Sequence, residues 1–379
     1  MLLEVRKLEI LPMPLIMRNY RLSPAISATF FLVACGGGGT GDGGEGVSSN
    51  PQDQTTNSKI EQSTFTGPAA YDMLKVNPDA NNPLSYELIV ALNAFDTTDN
   101  EPAYIEDLIT RSHTNSLGTQ SYDLKKIECA APSSLSSYDA LMLFDRSGSM
   151  ASNDPNNETL DAAHLFVDNL GAMDRAKIAM FPGKNSSMKP ADYLNTDFTS
   201  DQVKLHGAIK SLPNPNGLTP LWDAMTQVVD EWQNDTSLAS TFQERALLAF
   251  SDGQDTQSMN ATSDTVLSAV QSKGLSVFAI NLRNSDSYEL DMVALQSRGA
   301  VYSTDEAKNL VQFYGVLGQL LSGNTVRCAA TIQVSFEPQD KSNEIGYGPG
   351  FIKPPFEFLA QKNKAYGIVS SDILLPLYP

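Results

Sequence analysis

The feature that most constrains this chain is an alternation of apolar runs and amphipathic stretches between Tyr138 and Gly323. Short continuous apolar runs recur there, as expected for strands that are buried on both faces of a sheet. The segments between them carry apolar residues at helical spacing. This alternation predicts an α/β fold, with a doubly wound, mostly parallel sheet and helices on both faces.

The boundaries of these elements can be read from the pattern. The predicted strands are Ala140–Phe144, Lys177–Phe181, Ala246–Phe250, Leu275–Leu282 and Ala300–Ser303. The predicted helices are Glu158–Leu170, Ser200–Leu212, Leu221–Trp232, Ser263–Lys273, Tyr288–Ser297 and Asp305–Leu321. Ligands of such sheets bind beyond the carboxyl ends of the strands, so the residues that follow each strand are candidates for a functional site.

The composition excludes several classes of protein. The chain has 26 Lys and Arg against 44 Asp and Glu, a formal net charge of −18. This acidic excess argues against a nucleic-acid partner, because phosphate binding needs clustered basic residues. Three histidines and three cysteines are too few for a His-rich metal site or a disulfide-dense scaffold, and the sequence contains no H-E-x-x-H motif.

Residues 1–35 have the pattern of a secretory signal. Arg18 and Arg21 precede an apolar stretch at 25–34, which is shorter than the roughly 20 residues that a membrane span needs. The segment LVAC, which ends at Cys35, resembles the lipobox of bacterial lipoproteins, in which the cysteine is diacylated and becomes the mature N-terminus. A cysteine that merely ends a cleavable signal is the alternative. Met17, directly before this signal, is a second candidate start.

Residues 36–80 begin with GGGGTGDGGEG and are rich in polar residues. We predict a flexible tether, because such a composition buries too little apolar surface to become ordered. Two acyl chains would give stable membrane anchoring. Since Gly36 rather than Asp follows the cysteine, the resemblance to lipoproteins implies the outer membrane, at its periplasmic face or at the cell surface.

The other two cysteines, Cys129 and Cys328, bracket the alternating segment. A disulfide between them is expected in an exported protein, and two separate buried thiols are the alternative. The flanks at 81–135 and 325–379 are predicted to form a small β-rich accessory region. Their strand candidates are Tyr86–Phe95, Thr331–Phe336, Phe356–Leu359 and Ala365–Val369. The α/β domain itself is expected to span residues 136–324.

Oxygen-bearing side chains follow two of the predicted strands and precede one helix. The motif D-R-S-G-S places Asp145, Ser147 and Ser149 after the first strand. The motif S-D-G places Asp252 after the strand Ala246–Phe250, and the motif G-L-T-P-L contains Thr219. Two carboxylates and three hydroxyls are hard donors, which suit Mg²⁺, Mn²⁺ or Ca²⁺ rather than zinc or copper. We expect one divalent cation, with Mg²⁺ preferred. A plain turn closed by Asp and Ser side chains is the alternative for D-x-S-x-S alone.

Together these motifs resemble the von Willebrand factor type A domain, the fold shared with integrin inserted domains. The resemblance covers residues 136–324, about half of the chain. The metal-ion-dependent adhesion site of that family has a D-x-S-x-S loop, a distal Thr and a distal Asp, which match Asp145, Ser147, Ser149, Thr219 and Asp252. The resemblance implies that an acidic residue of a partner completes the coordination. It also implies a terminal disulfide, since some members have cysteines placed like Cys129 and Cys328.

Three enzyme classes lack their motifs in this sequence. A haloacid-dehalogenase phosphotransferase needs D-x-D, but Ser147 holds the third position, and neither G-x-S-x-G nor a P-loop is present. We therefore expect a binding protein without enzymatic activity. The expected function is adhesion, in which a cell-envelope lipoprotein binds a protein or surface ligand through the cation. A periplasmic scaffold or assembly factor is the alternative, and a metal-dependent hydrolase is a third hypothesis.

Several polar and aromatic residues near the motifs are expected to have ordinary roles. Asp223 is interpreted as a residue favoured by the helix dipole in a first turn. Asp255 and Asp264 are expected to be solvated, and Trp222 and Trp232 are expected to lie in the core or along a helix flank.

Overall fold

The computed structural model describes most of the chain after residue 50. The described residues are 51–99, 101–130, 137–183, 189–195, 197–233, 244–252, 255–282, 288–304, 310, 313, 314, 317, 318, 321, 326–339 and 351–376. The predicted signal and Cys35 lie outside them, so lipidation stays a prediction. In the described part of the chain, no helix combines the length and the apolar character that crossing a membrane requires.

The N-terminal flank is built mainly from strands. Its elements are α1 (Pro51–Glu61), β1 (Ser63–Asp79), β2 (Asn82–Phe95), β3 (Pro102–Leu108), β4 (Ser112–Thr114) and β5 (Gly118–Ala130). The structure therefore revises the tether predicted over 36–80, because α1 and β1 lie within it. Ala69, Ala70 and Tyr71 are at most 1% exposed and pair with β2. The polar composition of the whole segment concealed this short apolar stretch.

The central segment alternates strands and helices as predicted. Its elements are β6 (Tyr138–Asp145), α2 (Met150–Asn153), α3 (Glu158–Asp168), β7 (Arg175–Phe181), β8 (Asp192–Tyr193), α4 (Gln202–Lys210), α5 (Leu221–Gln233), β9 (Glu244–Ser251), α6 (Ser263–Lys273), β10 (Ser276–Leu282), α7 (Tyr288–Gln296) and β11 (Val301–Thr304). The predicted helix Asp305–Leu321 lies partly outside the described residues, and its described residues are helical.

These strands form the predicted parallel sheet. Neighbours β11, β10, β9, β6 and β7 pair in parallel, and β8 adds an antiparallel edge. Alternate residues of β6 face different helices, as the pleat requires. Leu141 and Leu143 belong to an apolar cluster with residues of α5, α6 and α7, whereas Met142 and Phe144 pack in a second cluster with residues of α3 and α4. The α/β class predicted from the sequence is therefore confirmed.

The ends of α6 show why the sequence predicted its bounds correctly. Thr262 caps the first turn, where its side chain accepts from Thr265 N and its backbone N–H donates to the Thr265 side chain. Gly274 ends the helix with φ +66°, a left-handed conformation that glycine adopts without a side-chain penalty.

The C-terminal flank pairs with the N-terminal flank. Its strands are β12 (Arg327–Pro338), β13 (Phe351–Ile352), β14 (Pro355–Lys362), β15 (Ala365–Asp372) and β16 (Leu375–Pro376). The flank strands follow the order β4-β5-β12-β2-β3-β14-β15-β1, and β1 meets the central sheet where Tyr71 pairs with Val301 of β11. The sheet is therefore continuous from the flanks into the central segment.

The predicted disulfide is present and joins the two flanks. Cys129 of β5 lies directly opposite Cys328 of β12, and the two sulfur atoms are bonded. Cys328 is fully buried, and the Ile105 N–H of β3 donates to its sulfur at 3.3 Å. The bridge therefore fastens the strands that precede and follow the α/β domain.

Candidate metal site

The D-x-S-x-S loop begins where the buried strand β6 ends. Asp145 is 1% exposed, and its Oδ1 accepts the Ser147 N–H at 2.7 Å, which turns the chain away from the sheet. Ser147 is also 1% exposed, whereas Ser149 is exposed to solvent. α2 starts directly afterwards at Met150. The loop therefore presents one buried carboxylate and two hydroxyls, of which only the second is open to solvent.

Asp252 joins this loop because β9 lies next to β6 in the sheet. The hydroxyls of Ser147 and Ser149 are 3.1 Å apart, and Ser149 Oγ donates to Asp252 Oδ1 at 2.9 Å. From the same strand end, Ser251 Oγ donates to Asp145 Oδ2 at 3.0 Å. Hydrogen bonds thus bring together Asp145, Ser147, Ser149 and Asp252, the four predicted ligands that follow strands.

Thr219 reaches the same rim through backbone contacts between loops. Gly148 N donates to Gly217 O at 2.9 Å, and Arg146 O accepts Asn216 N at 2.7 Å. Gly217 has φ +94°, which favours glycine at this turn. Thr219 is 5% exposed, two residues after this contact. The fifth predicted residue is therefore held beside the D-x-S-x-S loop.

A third loop, residues 255–261, holds the start of α5 in place. Thr256 Oγ1 accepts Thr219 N at 3.0 Å, and Thr256 N donates to Thr219 O at 2.9 Å. Asp255 Oδ1 accepts Trp222 N at 3.3 Å and the Ser258 hydroxyl at 2.6 Å. The prediction that Asp255 is simply solvated was wrong, because its carboxylate caps the first turn of α5 and orients the loop that carries Thr219.

Asp223 has a larger role than a favourable interaction with the helix dipole. Its carboxylate accepts the backbone N–H groups of Met259 at 2.9 Å, Asn260 at 3.0 Å and Ala261 at 2.7 Å. Neither Asp223 nor Asp255 belongs to the metal motif. A preference for Asp near helix N-termini was the only signal in the sequence, and it does not reveal which loop each carboxylate binds.

The electrostatics of the cluster fit a cation. The pKa of Asp145 is raised to about 7, because burial, together with the nearby Asp252 carboxylate, raises it by more than the hydrogen bonds from Ser147 and Ser251 lower it. A buried carboxylate beside a second one is stabilised in its charged form by a positive ion. Among the described residues, no group of three or more His, Cys, Asp or Glu side chains is arranged to hold a metal. Any cation here must therefore use the serine and threonine hydroxyls, a donor set that suits hard cations.

The histidines lie on other elements. His164 of α3 and His206 of α4 contact each other, with their Nδ1 atoms 2.7 Å apart, and His206 Nε2 lies 3.0 Å from Asp168 Oδ1. His113 belongs to β4. The Ser147 and Ser149 hydroxyls instead contact each other, and Ser149 also contacts the Asp252 carboxylate.

Residues 139–315 match the family model of the von Willebrand factor type A domain. The match covers 177 of the 379 residues, slightly less than half of the chain. It leaves out both β-rich flanks, so the similarity applies to the central segment. No curated protein sequence shows significant similarity to the chain.

Several solved structures resemble the fold of this chain at low sequence identity. Proximal thread matrix protein 1 from the mussel byssus, in a structure with a zinc-occupied adhesion-site motif, is 18% identical, with 56% of this chain and 50% of that chain covered and a TM-score of 0.41. A von Willebrand factor type A protein from Catenulispora acidiphila is 10% identical. The alignment covers 83% of this chain and 74% of that chain, with a TM-score of 0.41. The pilus adhesin SpaC from Lactobacillus rhamnosus GG is 11% identical. The alignment covers 81% of this chain and 48% of that chain, with a TM-score of 0.40. The alignment thus spans half of the mussel protein, and TM-scores this low carry no conclusion about function.

Proposed function

We propose that this chain is a cell-envelope lipoprotein whose central domain binds an acidic side chain of a partner protein or surface ligand through one divalent cation. The observation that carries the proposal is the hydrogen-bonded chain from Ser147 through Ser149 to Asp252, with the buried carboxylate of Asp145 beside it. The match of residues 139–315 to the von Willebrand factor type A family model supports metal-dependent binding.

The ligand set would comprise Asp145, Ser147, Ser149, Thr219 and Asp252. The hydroxyls offer neutral oxygen donors, and the two carboxylates supply the negative charge. A cation with only two negative ligands keeps part of its charge, so it attracts a carboxylate from a partner. Ser149 is the exposed member of the set, and the adjacent Gly148 is exposed too. An approaching carboxylate would therefore enter at this part of the rim.

The residues of this site support binding rather than turnover. A nucleophilic hydroxyl needs a general base oriented toward it. The carboxylate that Ser149 contacts, Asp252, is a proposed ligand of the cation and would not act as a base while bound to it, and two of the three histidines contact each other on α3 and α4. A non-enzymatic role is therefore part of the proposal, with Mg²⁺ as the favoured ion because all the donors are hard oxygens. Zinc belongs in the test as well, because the mussel protein has a zinc-occupied motif.

The lipid anchor remains a proposal that rests on the sequence around Cys35. An outer-membrane location follows from the same resemblance. Protease treatment of intact cells tests exposure at the cell surface, and radiolabelled palmitate incorporation with a Cys35→Ala control tests acylation. A protein that is labelled but protected from protease would place the domain in the periplasm and favour the scaffold hypothesis.

Calorimetric titration tests the metal site. The protein should start no later than Pro51, because α1 begins there and its Lys59 contacts Glu106 of β3 at 2.6 Å. We expect one-site binding of Mg²⁺ by the wild type, loss of binding in Asp145→Asn and weaker binding in Ser149→Ala. Asp264→Asn, an exposed carboxylate in the first turn of α6, is the matched control and should bind as the wild type does. Unchanged binding by Asp145→Asn would contradict the proposed site.

A further inference from the structure

A second cluster of polar side chains lies between β10, α7 and the segment that follows β13. Asn281 and Asp291 are fully buried, and the Lys353 side chain is only 12% exposed. Asn281 is the second-last residue of β10, Asp291 belongs to α7, and Lys353 comes directly after β13. The metal site uses none of these side chains.

One carboxylate bridges an amine and a carboxamide in this cluster. Asp291 Oδ1 accepts a hydrogen bond from Asn281 Nδ2, and Asp291 Oδ2 lies 2.8 Å from Lys353 Nζ. The neighbouring segment is buried, since Ile373, Leu374 and Leu375 are at most 2% exposed and β16 pairs with β13, and the fully buried Tyr71 accepts the Leu374 N–H at 2.9 Å through its hydroxyl. Burial raises the pKa of Asp291, while the nearby Lys353 and the hydrogen bond from Asn281 act in the opposite direction.

The hydrogen bonding of the cluster is incomplete. Among the described residues, Asn281 Oδ1 is a buried oxygen without a hydrogen-bond partner, and the polar contact of Lys353 Nζ is its ion pair with Asp291 Oδ2. Folded proteins satisfy nearly all buried polar atoms, so the unpartnered oxygen of Asn281 calls for an explanation. The oxygen and nitrogen of an Asn side chain are assigned from the hydrogen-bond network. Rotating the Asn281 amide would turn its carbonyl oxygen toward Asp291, where a protonated carboxyl could donate to it.

Amide formation requires a neutral amine at Lys353. Transfer of one proton from Lys353 to Asp291 would supply that amine and would leave no net charge on either buried group. The product is a free amine, which is a nucleophile, beside a carboxylic acid that can polarise the Asn281 carbonyl. These are the components that amide formation between two side chains requires.

We propose that Lys353 and Asn281 form an intramolecular isopeptide bond, with Asp291 as the group that transfers the proton. Lys353 Nζ attacks Asn281 Cγ while the Asp291 carboxyl donates a hydrogen bond to the carbonyl oxygen. The Nζ–Cγ bond forms, the Cγ–Nδ2 bond breaks, and Nδ2 leaves as ammonia. Asp291 gives its proton to the leaving nitrogen and takes one from Nζ, so it is unchanged and no oxidant or other reactant is needed.

The bond would connect the C-terminal flank to the central sheet. Lys353 lies in the flank, and Asn281 pairs with Ser251 at the strand end that precedes Asp252. The disulfide between Cys129 and Cys328 already joins the two flanks to each other. An isopeptide bond would add a second covalent connection, and this one would resist separation of the flank from the α/β domain. This inference does not depend on the proposed function.

Peptide mass spectrometry of the full-length chain, digested with trypsin after reduction, tests the proposal directly. Asn281 lies in the tryptic peptide Gly274–Arg283, Asp291 in Asn284–Arg298 and Lys353 in Ser342–Lys362, where Pro354 prevents cleavage after Lys353. We expect Gly274–Arg283 linked to Ser342–Lys362, and an intact mass lower by about 17 Da, the mass of one ammonia. The expected fragment ions locate the link at Asn281 and Lys353.

Variants provide the controls. Lys353→Arg keeps the positive charge but lacks the amine, so it should give only separate peptides, and Asp291→Ala should do the same because the proton-transfer group is lost. Lys364→Arg, an exposed lysine of the same flank, should remain linked. Separate peptides from the wild type would overturn the proposal. A link from Ser342–Lys362 to Asn284–Arg298 would also overturn it, because Lys353 would then have reacted with Asp291 and released water.

Discussion

Replacing Asp223 with alanine should destabilise the protein more than any exposed acidic substitution. The side chain is 9% exposed in the first turn of α5. Its two oxygens accept three backbone N–H groups, those of Met259, Asn260 and Ala261, at 2.9, 3.0 and 2.7 Å. Without the carboxylate, the loop at 255–261 loses its connection to α5 at three consecutive residues.

The magnitude follows from the number and environment of these bonds. A hydrogen bond to a charged group contributes about 1.5–3 kcal/mol, so three independent bonds would give about 4.5–9 kcal/mol. The three share one carboxylate, and Met259 is 86% exposed, so water can replace part of the loss there. We therefore expect Asp223→Ala to lower the free energy of unfolding by about 3–5 kcal/mol. Asp223→Asn keeps one carbonyl oxygen and should lose about 1–3 kcal/mol.

Urea unfolding, followed by the fluorescence of the buried Trp222 and Trp232, measures this difference. Asp264→Ala is the matched control, because Asp264 is an exposed carboxylate in the first turn of α6 and should contribute about 0.3–1 kcal/mol through the helix dipole. The Asp223→Ala protein should also bind Mg²⁺ more weakly, since the same loop orients Thr219. Equal losses in the two alanine variants would refute the role assigned to the Asp223 carboxylate.

Two further predictions concern covalent and titratable groups away from the metal site. The double variant Cys129→Ala/Cys328→Ala should lose about 2–5 kcal/mol of unfolding free energy, measured by urea unfolding without reductant. The reason is that the disulfide closes a loop in the unfolded chain across a sequence separation of 199 residues. A loss below about 1 kcal/mol would contradict this account. Burial, with the charges of His206 and Lys210, lowers the pKa of His164, so the folded protein binds fewer protons there than the unfolded chain. Stability should therefore fall as the pH drops below about 6.5, the pKa of an unfolded histidine. The melting temperature of the wild type should decrease between pH 7.5 and pH 5, and that of His164→Asn should decrease by less. Equal decreases in the wild type and the variant would rule out His164 as the cause.

The elements that could be predicted are those whose signals are local. The apolar run at 140–144 became β6 because strands covered on both faces need apolar residues in succession. The bounds of α6 at Ser263–Lys273 matched because its cap and its terminal glycine are adjacent in sequence. The residues of the D-x-S-x-S loop and Asp252 could be grouped because parallel strands place their carboxyl ends on one edge.

What could not be predicted depends on contacts between loops that are distant in sequence. Asp255 caps α5 from 33 residues away, and Asp223 binds the N–H groups of 259–261 from 36 to 38 residues away. A carboxylate that follows no periodic pattern can bind any nearby backbone, so the sequence does not identify its partner. β1 was missed for a different reason: the polar composition averaged over 36–80 concealed the apolar residues that pair with β2.

The site also shows why the fold need not depend on a bound ion. Ser149 donates to Asp252, and both Ser147 N and Ser251 donate to Asp145, so each carboxylate has hydrogen-bond donors supplied by the protein itself. Two carboxylates on one rim still repel each other, and burial of Asp145 adds a desolvation cost. The charge arrangement that disfavours the ion-free protein is the one that attracts a cation. Under the proposed function, selection for cation binding would account for carboxylates at positions where neutral side chains would give a more stable fold.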